Sequence, residues 1–507
     1  GFTGSAGTAV VTSSAALVWT DGRYYTQFEK EADLTLWTLM KQSLTETPTI
    51  EKWLTSHLSE GASVGVDPHT FTRDEWTPLQ VHKLAYHHLP LMSACCPPGC
   101  DSRVSMFVTS WRHNHNIMGV HAITYYHLEQ HYSTLTFRIE INKRKCMHLP
   151  YSRNCLIFSA DTLNLRGSDI QYNPVFFSYL VLTPSTVSLF TASELSAAVR
   201  DHLTDEAVEV QGLPYHGVET IGTHAHYAPV NSCIYIFQMD ALQTPLNLIS
   251  EISPVALMKL IKNDVELEGF RQCHIRDGVA VSRLLKWLHD QIDDGKKVTE
   301  IQVADKLLEF RKEEADFMGP SFETIPGAGP NGAIIHYSPS RSGPQKVIER
   351  NDMFLLDSGG QYKDGTTDIT RTRHMARAPT VEQKSAFTRV LKGQMMIGSA
   401  LFPKGVKGNV LDSFARHSLW EVGLDYAHGT GHGVGHFLNV HEGPSGISWR
   451  PYPHDPGLRA GQILSNEPGY YKVGDFGIRH EDLVETIQVT KDTKHPKVSN
   501  QYLVGHR

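Results

Sequence analysis

The chain has 507 residues, 40% of them hydrophobic and 20% charged, with a formal net charge of −7. That balance is ordinary for a soluble globular protein and leaves room for several domains with a large core. It gives no electrostatic footprint for nucleic acid, and no apolar run is long enough to span a bilayer, so neither a nucleic-acid partner nor a membrane is expected.

The chain opens at Gly1 rather than Met, which suits a fragment or a processed product. Residues 1–90 read as a small α/β unit. Residues 8–12 (TAVVT) and Ala16–Thr20 (ALVWT) look like a strand pair, and Asp21-Gly22 opens a helix carrying Tyr24, Phe28 and Ala32 on one face. The pattern recurs at 179–183 (YLVLT) and Val187–Thr191 (VSLFT), followed by a helix over 194–203. In both copies the closing threonines keep one spacing (Thr12 and Thr20, Thr183 and Thr191), the mark of a weak internal duplication, with chance likeness of two apolar hairpins as the alternative.

Residues 91–160 lack clean periodicity. Five of the seven cysteines fall here (Cys95, Cys96, Cys100, Cys146, Cys155), among scattered histidines (His113, His115, His121, His127, His131, His148). An odd, uneven set is no secreted disulfide framework, and a reducing compartment is expected. A zinc site from these residues would match no standard ligand spacing. A poorly ordered insert or a misread coding segment is the expectation.

From 253 the texture changes. Ser253-Pro254 precedes a helical pattern over 256–277, and a second over 279–292 follows an interruption at Gly278. A third helix covers 300–314, and Gly- and Pro-rich strands cover 321–336. A helix over 380–400 starts with a capping box, Thr380 and Gln383. Another over 409–420 is expected to bury Val410, Leu411, Phe414, Ala415 and Leu419. Glycine-rich strands close an α+β domain.

Between the strands and the capped helix lies LLDSGGQYKDGTTDITRTR (355–373). An apolar run leads into Asp357, turn residues follow, and Asp368 sits in a Thr-rich stretch, so a β-hairpin with one carboxylate on each arm is expected. A carboxylate buried among apolar neighbours costs several kcal/mol unless something pairs with it, and a divalent cation is one such partner. A wet turn is the other reading.

Three more segments set His, Asp or Glu beside glycine: GPNGAIIHY with His336, HGTGHGVGHFLNVHEGP with His428, His432, His436 and His441, and NEPGYYKVGDFGIRHED with Glu467 and Glu481. Singly, each residue suits a surface or hydrogen-bonded role. The glycine run makes no sense for stabilising a core, and it lets backbone approach a ligand. The P-loop, HExxH and GxSxG patterns are absent. Two Asp, two Glu and one His together form an oxygen-rich set that suits Mn²⁺, with Co²⁺ or Zn²⁺ as alternatives. Four carboxylates carry charge enough for two ions, which at roughly 3.5 Å apart can hold a hydroxide and polarise a carbonyl.

On these residues the chain resembles the pita-bread metallopeptidase family, and within it the long, cytosolic Xaa-Pro aminopeptidases (aminopeptidase P). GFTGSAGTAVVT, WTDGRYYTQ, NLRGSDIQYNPVFFSY and most of 253–490 carry the likeness, and the order and spacing of all five ligand positions are kept. The resemblance implies a truncated creatinase-like α/β domain over 1–90, a second over 91–252, and a C-terminally truncated pita-bread catalytic domain over 253–507.

It further implies two metal ions. Asp357 would chelate one, Asp368 and Glu481 would bridge both, and His432 and Glu467 would complete the other site. Glu467 would also serve as general base. His336 and His441 would contact the scissile carbonyl or its oxyanion. His428 would line the proline pocket, and Arg479 would orient Glu481 from behind. Asp364, on the turn between the two aspartates, would be left to solvent. The reaction implied is release of the first residue from peptides with proline second, in the cytoplasm, by an enzyme whose relatives are usually homodimers. An inactive peptide- or protein-binding module and a prolidase-like dipeptidase are the alternatives.

Some features depart from that pattern. The family's opening helix and strand and its last C-terminal segments are missing, 91–160 shows no likeness, and 192–252 shows little. His436 and His480 stand where a small and an aliphatic residue are expected. Strand alternation puts His480 behind the site, next to Glu481.

Overall fold

A computed structural model describes most of 2–58, the strands at 63–66, 85–88, 106–112 and 151–153, most of 162–205, the pairs 229–230 and 249–250, and nearly all of 252–489 with 501–506. The CCPPGC stretch and the histidines after it, with the zinc reading they raise, lie outside the described residues. The described residues fall into two compact units. Those within 1–122, 139–159 and 177–253 form one, and those within 160–176 and 254–507 belong to the other.

In the first unit β1 (Ala6–Thr12) and β2 (Ala16–Thr20) form the expected antiparallel pair, Val10 opposite Leu17. Helix α1 (Tyr25–Glu31) starts later than the sequence implies. Asp21 makes a turn instead, its carboxylate accepting the Arg23 backbone N–H at 3.1 Å and Nε–H at 2.8 Å. Then come β3 (Trp37–Lys41), α2 (Ile50–His57), β4 (Ser63–Val66), β5 (Ala85–His88) and β6 (Met106–Arg112). The sheet order is β3-β2-β1-β6-β4-β5, so the sheet takes in chain beyond the expected boundary at 90. Val10, Leu17, Trp19, Trp53 and Leu54 form its core.

The second strand pair is also real. Strands β7 (Tyr151–Arg153), β8 (Ser178–Leu182) and β9 (Val187–Thr191) make a sheet in which Leu180 faces Leu189, and α3 (Ala197–Asp205) follows. Two short pieces, β10 (Pro229–Val230) and β11 (Ile249–Ser250), pair in parallel.

The second unit holds α4 (Pro254–Leu260) and α5 (Asp264–Asp293). The break expected at Gly278 falls at 261–263 instead. Asn263 caps α5 in a reciprocal box with Glu266, which ends one helix and starts the next. Gly278 stays inside α5, where its cost of about 1 kcal/mol is small beside the packing of Leu284 and Leu288. Next are α6 (Glu300–Lys312), β12 (Phe317–Pro320), β13 (Ile325–Ala328), a 3₁₀ turn at Gly329–Ala333, β14 (Met353–Ser358), β15 (Gly360–Tyr362), β16 (Gly365–Thr366) and β17 (Ile369–His374). Strand β14 lies between β13 and β17, both antiparallel to it, and Asp357 stands opposite Ile325 and Thr370. The hairpin is therefore present, with β15 and β16 forming a smaller hairpin at its tip.

The chain continues through α7 (Val381–Gly398), β18 (Leu401–Pro403), α8 (Gly408–Trp420), β19 (Gly431–His432), β20 (Gly446–Ile447), β21 (Ile463–Asn466), β22 (Gly469–Lys472), β23 (Phe476–Arg479), β24 (Asp482–Val489) and β25 (Gln501–His506). The Thr380/Gln383 capping box forms as expected. On α8, Leu411, Ala415 and Leu419 are buried, but Val410 is 56% and Phe414 38% exposed. Four-residue spacing keeps the first three on one stripe and turns the other two away from it. Helices α5 and α6 pack on Phe354 and Leu356 of β14, and α7 and α8 pack on Leu464 of β21 and Val484 of β24. No described helix is long and apolar enough to cross a membrane.

Candidate metal centre

Five pieces of backbone deliver the five residues. Strand β14 supplies Asp357, the link into β17 supplies Asp368, β19 supplies His432, and the ends of β21 and β23 lead to Glu467 and Glu481. Two isolated bridges, Thr370 with Glu481 and Gly433 with Leu464, tie these pieces together. The glycine run now has a cause. A Cβ on Gly431 would collide with the Ser465 carbonyl, and one on Gly433 with that of Glu442, so only glycine lets these strands approach.

Ligand atoms of Asp368, His432 and Glu481 all lie within 4.8 Å of one another. His432 Nε2 is 3.4 Å from Asp368 Oδ2 and 3.4 Å from Glu467 Oε1. Its Nδ1–H donates to the Gly433 carbonyl at 2.9 Å, which leaves Nε2 facing the carboxylates. The Ser465 hydroxyl accepts the His432 backbone N–H and donates to Glu467 Oε1 at 3.1 Å. Thr370 Oγ1 donates to Glu481 Oε2 at 2.7 Å.

Asp357 is buried, and its Oδ1 has no hydrogen-bond partner. An orphaned carboxylate oxygen beside three more carboxylates costs too much to persist without cations. Electrostatics agree. Burial, then the fields of Asp357 and Glu467, push Asp368 well above the ordinary carboxylate range. Burial and Asp368 do the same to Glu481, and burial raises Glu467. The donor set, its crowding and the orphaned oxygen fit divalent cations.

Arg479 reaches more than the Glu481 that the resemblance implies. Its Nη2 donates to Asp357 Oδ2 at 2.5 Å, Nη1 to the Tyr471 hydroxyl at 2.7 Å, and Nε to Thr370 Oγ1 at 3.2 Å. It therefore hydrogen-bonds Asp357 directly, and it acts on Glu481 through its charge and through the Thr370 hydroxyl. His428 is buried and fully engaged: Nδ1–H donates to the Gly429 carbonyl at 2.7 Å, and Nε2 accepts from Tyr471 at 2.8 Å. Its Nδ1 also lies 4.0 Å from Glu467 Oε2. His441, exposed, places its ring 4.1 Å from that of His432, edge to face. His336 stands half-buried in the turn after Gly329–Ala333, a segment packed on β23, where a Cβ at Gly477 would collide with the Gly332 carbonyl.

Asp364 is not left to solvent. Its turn packs on α5, and Oδ1 accepts from Arg276 at 2.5 Å. His480 lies behind the site as alternation requires, its ring 4.2 Å from Phe387 of α7, and burial pulls its pKa down to about 4. His436 is buried edge-on to Phe270 at 5.6 Å. Thr370, Ser465 and Tyr471 are the parts missed in sequence. Only Tyr471 carried a signal there, as part of EPGYY.

Residues 268–490 match the model of metallopeptidase family M24, and 1–83 and 155–266 each match a creatinase/prolidase N-terminal domain. The chain is 44% identical to the Xaa-Pro aminopeptidase ApepP of Drosophila melanogaster, covering 96% of this chain and 79% of that one. It is 39% identical to aminopeptidase P2 of Arabidopsis thaliana, over 96% of this chain and 71% of that one. The crystal structure of an X-prolyl aminopeptidase from Caenorhabditis elegans, described as a cytosolic enzyme with a di-nuclear active site, superposes with a TM-score of 0.89 at 33% identity, over 99% and 81% of the two chains. A Bacillus anthracis Xaa-Pro dipeptidase reaches 0.56 at 20% identity, covering 74% and 98%, a likeness of fold alone. Two creatinase-type domains followed by an M24 catalytic domain, with relatives this similar over nearly the whole length, make the chain a member of the Xaa-Pro aminopeptidases of metallopeptidase family M24.

Proposed function

We propose that the chain releases the N-terminal residue from peptides with proline second, using two divalent cations, with Mn²⁺ as the native pair. Asp357, Asp368, His432, Glu467 and Glu481 would hold these ions. The ions supply Lewis acidity and a water of lowered pKa. The observation that carries this reading is the buried, unpartnered Oδ1 of Asp357 beside the clustered Asp368, His432 and Glu481.

The rest falls to side chains. Glu467, raised by burial, takes a proton from the attacking water and returns it to the leaving proline nitrogen, which has no hydrogen of its own. His441 and His336 face the carbonyl oxygen as it gains charge. His428 shapes the pocket with a ring held between the Gly429 carbonyl and the Tyr471 hydroxyl. Arg479 fixes Asp357. We place the enzyme in the cytoplasm because the nematode relative is described as cytosolic. We also propose a homodimer, on the resemblance alone.

The test is cleavage of an Xaa-Pro-Pro tripeptide and an Xaa-Pro dipeptide by chelator-treated chain, with and without Mn²⁺. Metal-dependent cleavage of the tripeptide is expected. Cleavage of the dipeptide alone would make it a dipeptidase, and no cleavage with no metal bound would make it a binding module.

A further inference from the structure

The loop from His432 to His441 carries a proposed metal ligand at one end and, at the other, the histidine proposed to face the carbonyl, with the two rings 4.1 Å apart. Its middle is not relaxed. Phe437 has φ of 46°, the left-handed region that bulky side chains avoid, and is 1% exposed. Something must hold it there, since strained backbone persists only where its surroundings over-determine it. Three hydrogen-bonding side chains reach this turn. Gln361 Nε2 donates to the Leu438 carbonyl at 2.7 Å, and the Thr366 hydroxyl contacts both the N–H and the carbonyl of Leu438 at 3.3 Å. The third is Arg166.

Arg166 lies in NLRGSDIQYNPVFFSY, within the sequence of the second creatinase-type domain but grouped in space with the catalytic unit. The side chain is 4% exposed. Its Nε donates to the Phe437 carbonyl at 2.7 Å and Nη2 to the His436 carbonyl at 3.4 Å, and the guanidinium lies 5.5 Å from the centre of the Phe437 ring. One rigid fork thus grips two successive carbonyls and the ring of the strained residue. Lysine, a point donor on a flexible stem, does not reproduce that grip.

We infer that Arg166 is a positioning residue for the reaction: by clamping the His436 and Phe437 carbonyls, it holds the left-handed turn at Phe437 and so keeps His441 against His432. The inference rests on the proposed reading of that site. A displacement of about 1 Å at such a site lowers turnover about 100-fold. The clamp acts on the geometry of the reacting groups rather than on peptide capture, so the loss falls on kcat.

The test uses the full chain, loaded with Mn²⁺ and assayed on an Xaa-Pro-Pro peptide. Wild type must cleave it; if it does not, the proposed function fails and not this inference. Arg166→Ala is expected to lower kcat about 10- to 100-fold with little change in KM and with the wild-type metal content. Millimolar methylguanidinium should restore part of that activity by refilling the site. Arg166→Lys should lose at least about 10-fold in kcat, and it is the variant to read if Arg166→Ala does not fold. Wild-type kcat in either folded variant would overturn the inference, as would a loss confined to KM. Loss of bound metal that accounts for the whole deficit would also overturn it. Misfolding of both would make Arg166 a structural residue and would equally overturn it.

Discussion

The catalytic unit buries charge in two neighbouring places and treats it in opposite ways. At the first, Arg311 of α6 meets Asp277 of α5 through two bonds of 2.8 and 2.9 Å. Arg311 also donates to the Gly359 carbonyl and the Ser358 hydroxyl, and the Tyr362 hydroxyl donates to Asp277 at 2.9 Å. Cation and anion balance, and neither residue is orphaned. At the second, one residue upstream of Ser358, Asp357 begins a group of four carboxylates with Arg479 and His432 as their cationic or polar partners. One oxygen has no partner, and Asp368 and Glu481 are pushed far up. A closed network supports the fold by itself. An open one of excess negative charge is stable only with protons or metal ions in it.

The largest break in this contrast should come at Glu467. Glu467→Ala is expected to lower kcat on an Xaa-Pro-Pro peptide by about 10²–10⁴-fold while the circular dichroism and melting curve stay near wild type. Retained turnover would remove Glu467 from the proton-transfer role. Arg311→Met should do the reverse. It leaves Asp277 buried and unpaired, so a urea midpoint should report a loss of about 3–5 kcal/mol, with activity per folded molecule preserved.

The third effect turns on pH and metal. The raised Asp368 and Glu481 bind protons more tightly in the folded, metal-free chain than in the unfolded one. Their contribution to stability is therefore complete below the unfolded pKa of about 4 and is lost as pH rises through the raised folded values. At neutral pH, Mn²⁺ at about 100 times its Kd should add about 2.7 kcal/mol, and this gain should fade as pH falls through the raised folded values of Asp368 and Glu481. A thermal melt that ignores Mn²⁺ would contradict the open network. The smallest effect should be at Asp364. Its pair with Arg276 is partly exposed, so Asp364→Asn should cost less than about 1 kcal/mol and leave Mn²⁺ stoichiometry unchanged.

The segments that carry Asp357, Asp368, His432, Glu467 and Glu481 stood out in sequence because acidic and histidine side chains there keep unusual company, and the structure groups Asp368, His432 and Glu481 within 4.8 Å. Acidic side chains after apolar runs and a glycine ladder around histidines have few other uses. The strand pairs at 6–20 and 178–191 were legible because apolar runs punctuated by Thr and Ser repeat at one spacing. What stayed hidden depends on which distant groups meet. Nothing local marks Arg311 as the partner of Asp277, or Asp364 as a brace for α5. Arg479 was read against Glu481, its near neighbour in sequence, but strand geometry sends its guanidinium across to Asp357. Gly278 was read as a breaker because propensity is local, whereas the Asn263 cap and the packing of α5 decide where the helix stops.

The spread of the proposed ligands along the chain has a consequence for assembly. Asp357 and Asp368 are joined by a hairpin that can close early, but His432, Glu467 and Glu481 come from later strands and meet the first two only through long-range pairings. Contacts so remote in sequence form late and slowly. Two of the five proposed ligands therefore come together before the site does, and an ion caught by the aspartate hairpin alone would have no histidine and no glutamate to keep it. Tight metal uptake should appear only with the final folding phase, which makes the release of free Mn²⁺ indicator signal a clock for completion of the domain.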